Sequence, residues 1–340
     1  METVRFGVIG LGFFGEKHAE VLADMPGVEL AAVCTRRRQR REEVARRLAV
    51  PRQYGDYRAL LADPDLEAVS IVTHVDDHRD IAVEALQSGK HVFLEKPMAE
   101  SVASCDAILR AAKEARGFLM VGHICRFDPR IGLAHDAVVA GRIGRIVSLH
   151  ATRNLPCTIG AQVLDKISPL MGDGIHDTDL MLWLTGSRIQ TVYAQTVRIN
   201  AFRHPDIGWA VYRFASGAVG VVEAVWCLPA GTPFQIDARF EIIGTEGAIY
   251  VDCGHAGLAI HDATGVHQPD TAYWPRLHGT SVGALRHELA YFAQCVRTGH
   301  QPAVVTPVEA RDAVAVLRAA EESAASGQVV RLSGDWEEPT

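Results

Sequence analysis

The first 122 residues alternate short apolar runs with longer amphipathic ones, and few folds accept that pattern. Val4–Ile9 is apolar and β-branched and ends in glycines, and Glu16–Ala23 follows with helical spacing. The pairs continue with strand-like Val28–Cys34 and helix-compatible Arg40–Ala49, then a short helical stretch over Tyr57–Ala62 stopped at Asp63-Pro64. Strand-like Ala68–Thr73, helical Asp80–Leu86, strand-like His91–Leu94, helical Ser101–Ala115 and strand-like Phe118–Gly122 complete the series. Unbroken apolar strands are those covered on both faces, and intervening helices supply the crossovers of a parallel sheet. The spacing predicts a doubly wound α/β domain.

After about residue 123 the pattern changes. Ile146–Arg153, Thr191–Arg198, Ala210–Phe214, Ala218–Cys227, Phe240–Ile243 and Ala248–Asp252 read as longer strands, several with the two-residue alternation of a sheet buried on one face. Successive strands with few helices between them predict a mostly antiparallel sheet. Val282–Arg297 and Pro307–Ala325 return to helical spacing. In 340 residues this makes two domains: 1–123 a nucleotide-binding fold, 124–332 an α/β domain with a large sheet, and 333–340 a loose polar tail.

Charge narrows the function classes. A net charge of −7 argues against a nucleic-acid binder, which needs clustered Lys and Arg. No apolar run is long enough to span a membrane, and the first residues lack the charge-then-apolar layout of a signal peptide, so a cytoplasmic location is expected. The seven cysteines are widely spaced with no C-x-x-C, which fits reduced thiols better than disulfides or zinc. His255 and His261 lack ligand spacing, and no metal is expected.

Gly10-Leu11-Gly12-Phe13-Phe14-Gly15 is a G-x-G-x-x-G between a predicted strand and a predicted helix. In that setting Gly10 permits the tight turn, Gly12 lets backbone approach a pyrophosphate, and Gly15 allows close helix–sheet packing. The backbone N–H groups around Phe13 and Phe14 then face the anion at the helix start. An NAD site carries an acid roughly 20 residues on, at the end of the second strand. Here Thr35 holds that place, followed by Arg36, Arg37 and Arg38. A carboxylate repels a 2′-phosphate, whereas Thr and Arg bind it. The expected cofactor is therefore NADP(H), with Thr35, Arg36 and Arg37 on the phosphate; NAD(H) is the alternative, with the arginines a solvated helix start.

Two further motifs make a family recognisable: Gly89-Lys90-His91-Val92-Phe93-Leu94-Glu95-Lys96-Pro97 and Gly174-Ile175-His176-Asp177-Thr178-Asp179-Leu180. Together with the glycine loop they resemble the glucose–fructose oxidoreductase / inositol dehydrogenase family (Gfo/Idh/MocA), and the likeness runs from residue 4 to about 331. The resemblance implies a Rossmann domain, then an α/β domain with a large, mostly antiparallel sheet, and substrate bound between them. It implies hydride transfer between nicotinamide and a hydroxyl or carbonyl carbon of a sugar, sugar derivative or cyclitol. It places Glu95, Lys96 and a following proline, often cis, at the reaction centre, with His176 from the second motif.

The chemistry of that pair is sound. Removing hydride from a secondary alcohol leaves a proton to be taken up. Imidazole, with a reference pKa of about 6.5, suits that task. An ammonium suits donation to the substrate oxygen. His176 is expected to carry the proton and Lys96 to polarise the oxygen; the reverse assignment stays open.

Many relatives carry an Asp four residues before this His. That position here is Gly172, and Asp173 lies three before. On a helix both spacings reach one face, so Asp173 is the candidate; a helix N-cap is its other reading. Thr73 and His74 end the fourth strand, where cofactor loops sit. Arg126 is expected on cofactor or substrate oxygens or in an interdomain contact, and Arg153 and Asn154 on the substrate side. Trp183 is either core or a sugar-stacking ring. The expected function is an NADP-dependent sugar or cyclitol oxidoreductase acting as a homodimer or homotetramer. A reductase of a non-sugar acceptor and a non-catalytic NADP-binding regulator are the alternatives.

Overall fold

The structure, a computed structural model, describes residues 3–252 and 257–332. Cys253, His255 and the tail 333–340 lie outside the described residues. The chain divides into two units, residues 1–127 with 273–311, and residues 128–272 with 312–340.

In the first unit the alternation folds as strands and helices: β1 (Val4–Ile9), α1 (Phe13–Ala23), β2 (Val28–Cys34), α2 (Arg38–Arg47), β3 (Arg52–Tyr54), α3 (Tyr57–Leu61), β4 (Ala68–Ile71), α4 (Val75–Gln87), β5 (His91–Glu95), α5 (Val102–Glu114) and β6 (Leu119–Gly122). The strands pair in parallel in the order β3-β2-β1-β4-β5-β6. The order reverses between β1 and β4, the place where such sheets bind ligands. Local chemistry sets the helix starts. Asp56 accepts from the Arg58 N–H and Ser101 from the Ser104 N–H, capping α3 and α5. α4 begins at Val75, five residues earlier than periodicity suggests, because Asp76 and Asp77 in the first turn suit the positive end of the helix dipole. The polar strand β3 carries no apolar signal.

The linear division at residue 123 needs correction, because 273–311 returns to this unit. The helix Ala284–Thr298 explains why. Its buried Phe292 lies edge-on to Phe6 of β1 and Phe93 of β5, with ring centroids 6.1 and 5.6 Å apart.

The second unit contains α6 (Pro129–Val139), β7 (Ile146–Asn154), the short α7 (Cys157–Gly160), a π turn over Leu170–Gly174, α8 (Ile175–Thr185), β8 (Ile189–Val197), β9 (Ile207–Phe214), β10 (Val219–Val225), β11 (Asp237–Gly244) and β12 (Ala248–Asp252). The sheet order is β12-β11-β7-β10-β9-β8, with Val330–Arg331 at the β8 edge. Pairing is antiparallel except between β7 and β10. Along β9, Ala210, Tyr212 and Phe214 point to the buried face, and Trp209, Val211 and Arg213 to the open one. α8 covers the buried face. Its Thr178 hydroxyl bonds the Tyr212 hydroxyl at 2.9 Å, in a site dry enough to push that phenol well above its usual pKa.

Candidate active site

The glycine loop joins β1 to α1. Gly10 has a φ of +96°, and a Cβ there would lie 2.3 Å from the Val72 carbonyl oxygen, so only glycine makes this turn. Gly15 faces the Gly10 carbonyl with equally little room. Gly12 differs. Its dihedrals suit any residue and no atom of the chain lies within 4 Å of the Cβ it lacks. No side chain caps the N-terminus of α1. An open approach to an uncapped helix start fits a dinucleotide pyrophosphate. Phe13 and Phe14 begin the helix, with Trp274 edge-on to both rings.

At the end of β2 the three expected residues separate. Arg37 is committed to the loop, its guanidinium donating to the Leu11 carbonyl at 2.8 Å. The Thr35 carbonyl accepts from Arg41. The Arg36 side chain is 88% exposed, with the Asp77 carboxylate 3.6 Å away. Thr73 and exposed His74 follow β4, and His74 occupies the N-cap position of α4.

Lys96 follows β5 and precedes a cis peptide bond to Pro97. The Glu95 carboxylate turns back into the protein. It accepts from the Lys96 N–H at 3.1 Å and lies 3.2 Å from the His18 imidazole. Behind Pro97 stands His78, fully buried, with ring nitrogens 2.9 Å from the Pro97 carbonyl and 3.3 Å from the Thr73 carbonyl. Burial pushes its imidazole below the usual value, with the surrounding carbonyls pulling the other way.

In the second unit His176 sits buried in the first turn of α8. The π turn just before it presents Asp173, whose carboxylate accepts from the Trp226 indole N–H at 3.0 Å. The same ring explains Gly172. A Cβ there would sit 2.5 Å from Trp226 Cη2, so a longer residue is excluded. Trp226 is itself anchored against Leu155 and Leu164.

Three of the expected residues make hydrogen bonds within the protein. Arg126 turns inward, its side chain wholly buried, and donates to the Val304 carbonyl and to Glu309. Arg153 forms a two-pronged pair with Asp177, at 3.1 and 2.8 Å. Asn154 donates to Glu223 and accepts from the Val225 N–H, using both ends of its amide. All three are internal ties rather than open ligand groups. Trp183 is half-buried and lies flat on His135, centroids 3.8 Å apart. Sequence reasoning misses Trp226, His18 and His78. Only the two histidines had a signal, their spacing on the inner faces of α1 and α4.

Among the described residues no group of three or more His, Cys, Asp or Glu is arranged to hold a metal ion, and no helix is long and apolar enough to cross a membrane. The six described cysteines are free thiols, and burial raises those of Cys34 and Cys105 to about 12.

Comparison with known proteins bears on the whole chain. Residues 4–123 match the model of an oxidoreductase family with an NAD-binding Rossmann fold, GFO/IDH/MocA, and residues 131–250 match the GFO/IDH/MocA C-terminal domain. The chain is 33% identical to scyllo-inositol 2-dehydrogenase (NAD(+)) of Bacillus subtilis, over 97% of this chain and 96% of that one. It is 28% identical to a myo-inositol 2-dehydrogenase of Thermotoga maritima, over 88% and 90% of the two chains. Among solved structures, GenD2 from gentamicin A biosynthesis in complex with NAD superposes with a TM-score of 0.85 at 25% identity, covering 98% of this chain and 97% of that one.

Proposed function

The chain belongs to the GFO/IDH/MocA oxidoreductase family, and we propose that within it the protein is a dehydrogenase of a cyclitol or related sugar alcohol. The observation that carries this reading is near-full-length similarity to an inositol dehydrogenase combined with Lys96 and His176 in the family's two motifs.

The cofactor end rests on the glycine loop, the bare N-terminus of α1 and the absence of an acid after β2. A nicotinamide dinucleotide held at the Gly10–Gly15 loop and the start of α1 would supply the hydride acceptor for the carbinol carbon, or the donor in the reverse direction. His176 takes the hydroxyl proton at Nε2, the ring nitrogen other than the deeply buried Nδ1. Lys96 donates from Nζ to a substrate oxygen and stabilises the negative charge that develops there. Asp173, held by the Trp226 indole N–H, binds a neighbouring substrate hydroxyl.

NADP(H) is the preferred cofactor in this reading, because an exposed Arg36 follows β2 and Thr35 takes the place of a carboxylate that would repel a 2′-phosphate. The name of the Bacillus relative favours the other reading, NAD(H). The assembly is a homo-oligomer through the open sheet face. There Tyr193 opposes Val211, and Trp209 stands next to Val211 on the same exposed surface.

The test is turnover of a panel of inositol stereoisomers and sugars with each cofactor, followed by nicotinamide absorbance. Reduction of cofactor by at least one inositol supports the reading. Cofactor binding with no turnover of any alcohol or carbonyl rejects it in favour of a regulator.

A further inference from the structure

We infer that two buried histidines, His18 and His78, brace the backbone on either side of Lys96 and act as positioning residues for the reaction. The inference rests on the proposed role of Lys96 at the substrate oxygen.

The brace has two arms. On the first, His18 projects from α1 beneath the sheet, wholly buried. One ring nitrogen, Nδ1, is 2.9 Å from the Ser70 hydroxyl of β4. The other, Nε2, is 3.2 Å from Glu95 Oε1, a close polar approach outside hydrogen-bond alignment. Glu95 Oε2 takes the Lys96 N–H. A carboxylate only accepts, so this contact is favourable with the proton on Nε2, and Nδ1 then accepts from Ser70. The Phe14 and Phe93 rings lie edge-on to the imidazole, 5.0 and 5.5 Å between centroids, and leave it one orientation. Gly122 supplies the space for Glu95: a Cβ there would stand 2.7 Å from Oε1.

On the second arm, His78 projects from α4. Its Nδ1 lies 2.9 Å from the Pro97 carbonyl and its Nε2 3.3 Å from the Thr73 carbonyl. Carbonyls only accept, and a neutral imidazole has one proton. The shorter contact places that proton on Nδ1, toward Pro97. The backbone is thus held at the N–H of Lys96 and at the C=O of Pro97, on both sides of the side chain that reacts.

Stability alone gives no reason for this arrangement. Burying an acid and two imidazoles costs free energy that an apolar core avoids. Here three such groups, reached from two helices and one strand, converge on one turn of three residues. Placement is what the turn gains. A misplacement of about 1 Å in a reacting group costs roughly 100-fold in rate.

The experiment pairs variants that lose the donor with variants that keep it. His78→Leu and His18→Leu remove the ring nitrogens at similar volume. His78→Asn retains a donor near Nδ1, and His18→Gln retains one near Nε2. Each is assayed for kcat, KM, cofactor affinity by NADPH and NADH fluorescence titration, melting temperature and the kinetic isotope effect with substrate deuterated at the carbinol carbon. Lys96→Met is assayed beside them.

The brace predicts that both Leu variants lose at least about tenfold in kcat, with cofactor affinity within about twofold and a larger isotope effect. The Asn and Gln variants recover most of that loss. Leu variants with unchanged kcat overturn the brace. So does a loss that tracks melting temperature and is not recovered by Asn or Gln. Lys96→Met separates the two levels. If it turns over normally, the role of Lys96 itself fails. If it is inactive while the histidine variants are normal, only the brace fails.

Discussion

The Trp226 indole N–H donates to the Asp173 carboxylate at 3.0 Å, and the far edge of the same ring closes the space above Gly172. One side chain therefore fixes an acid three residues before His176 and forbids one four residues before it. Trp226→Phe keeps most of the ring and removes the donor. It is expected to lower kcat/KM by roughly tenfold, about one charge-assisted hydrogen bond, with cofactor affinity unchanged. Gly172→Ala drives a methyl into the ring and is expected to cost about 1–3 kcal/mol, read by denaturant unfolding. Full activity in Trp226→Phe contradicts the role given to Asp173.

Arg153 and Asp177 are almost wholly buried, with side chains 6% and 1% exposed. Removing one partner strands the other charge in a dry interior. Asp177→Asn is expected to destabilise the protein by roughly 3–5 kcal/mol in urea unfolding. An unchanged midpoint would show that water or another group replaces the lost charge.

After β2 the Arg36 side chain is 88% exposed, whereas Arg37 is held by the Leu11 carbonyl. Arg36→Ala is expected to raise KM for NADP(H) by about tenfold or more and to leave KM for NAD(H) within about twofold. Thr35→Asp is expected to move preference toward NAD(H). Equal effects on both cofactors would place Arg36 outside the 2′-phosphate site.

His91 Nδ1 accepts the Phe118 N–H at 3.0 Å, an interaction available only to the ring unprotonated at that nitrogen. Burial lowers its pKa from 6.5, with Glu67 opposing; burial also lowers those of His78 and His204. The unfolded chain therefore binds protons first as pH falls. Stability is complete above the unfolded value and is lost as pH drops from there toward the lower folded values. The melting temperature should be level down to about pH 7 and fall from about pH 6.5 to 5. His91→Gln should make that fall shallower, and an unaltered slope would exclude His91 as a contributor.

The nucleotide fold was legible because its signals are local: apolar runs for β1, β2 and β5, a glycine turn, and helical spacing between them. β3 was illegible because Arg52–Tyr54 owes its strand to a neighbour rather than to its own apolar content. Lys96 and His176 are legible only through the two motifs that carry the family resemblance; their spacing alone does not single them out. The internal partners of Arg126, Arg153 and Asn154 were not legible, for one shared reason. A charged or amide residue near a strand end reads the same whether it meets a ligand or a partner, and theirs, Glu309, Asp177 and Glu223, are far away in sequence. Trp226 was hidden likewise, its polar tip serving a residue 53 positions back.

The central claim is that this chain oxidises a cyclitol or sugar alcohol through Lys96 and His176. Its most direct test is the initial rate of cofactor reduction by inositol stereoisomers for the unaltered protein, Lys96→Met and His176→Ala. The account predicts turnover of at least one inositol by the unaltered protein and a loss of about 100-fold or more in kcat in each variant, with cofactor still bound. Turnover undiminished in Lys96→Met, or none by the unaltered protein on any inositol or sugar, would contradict it.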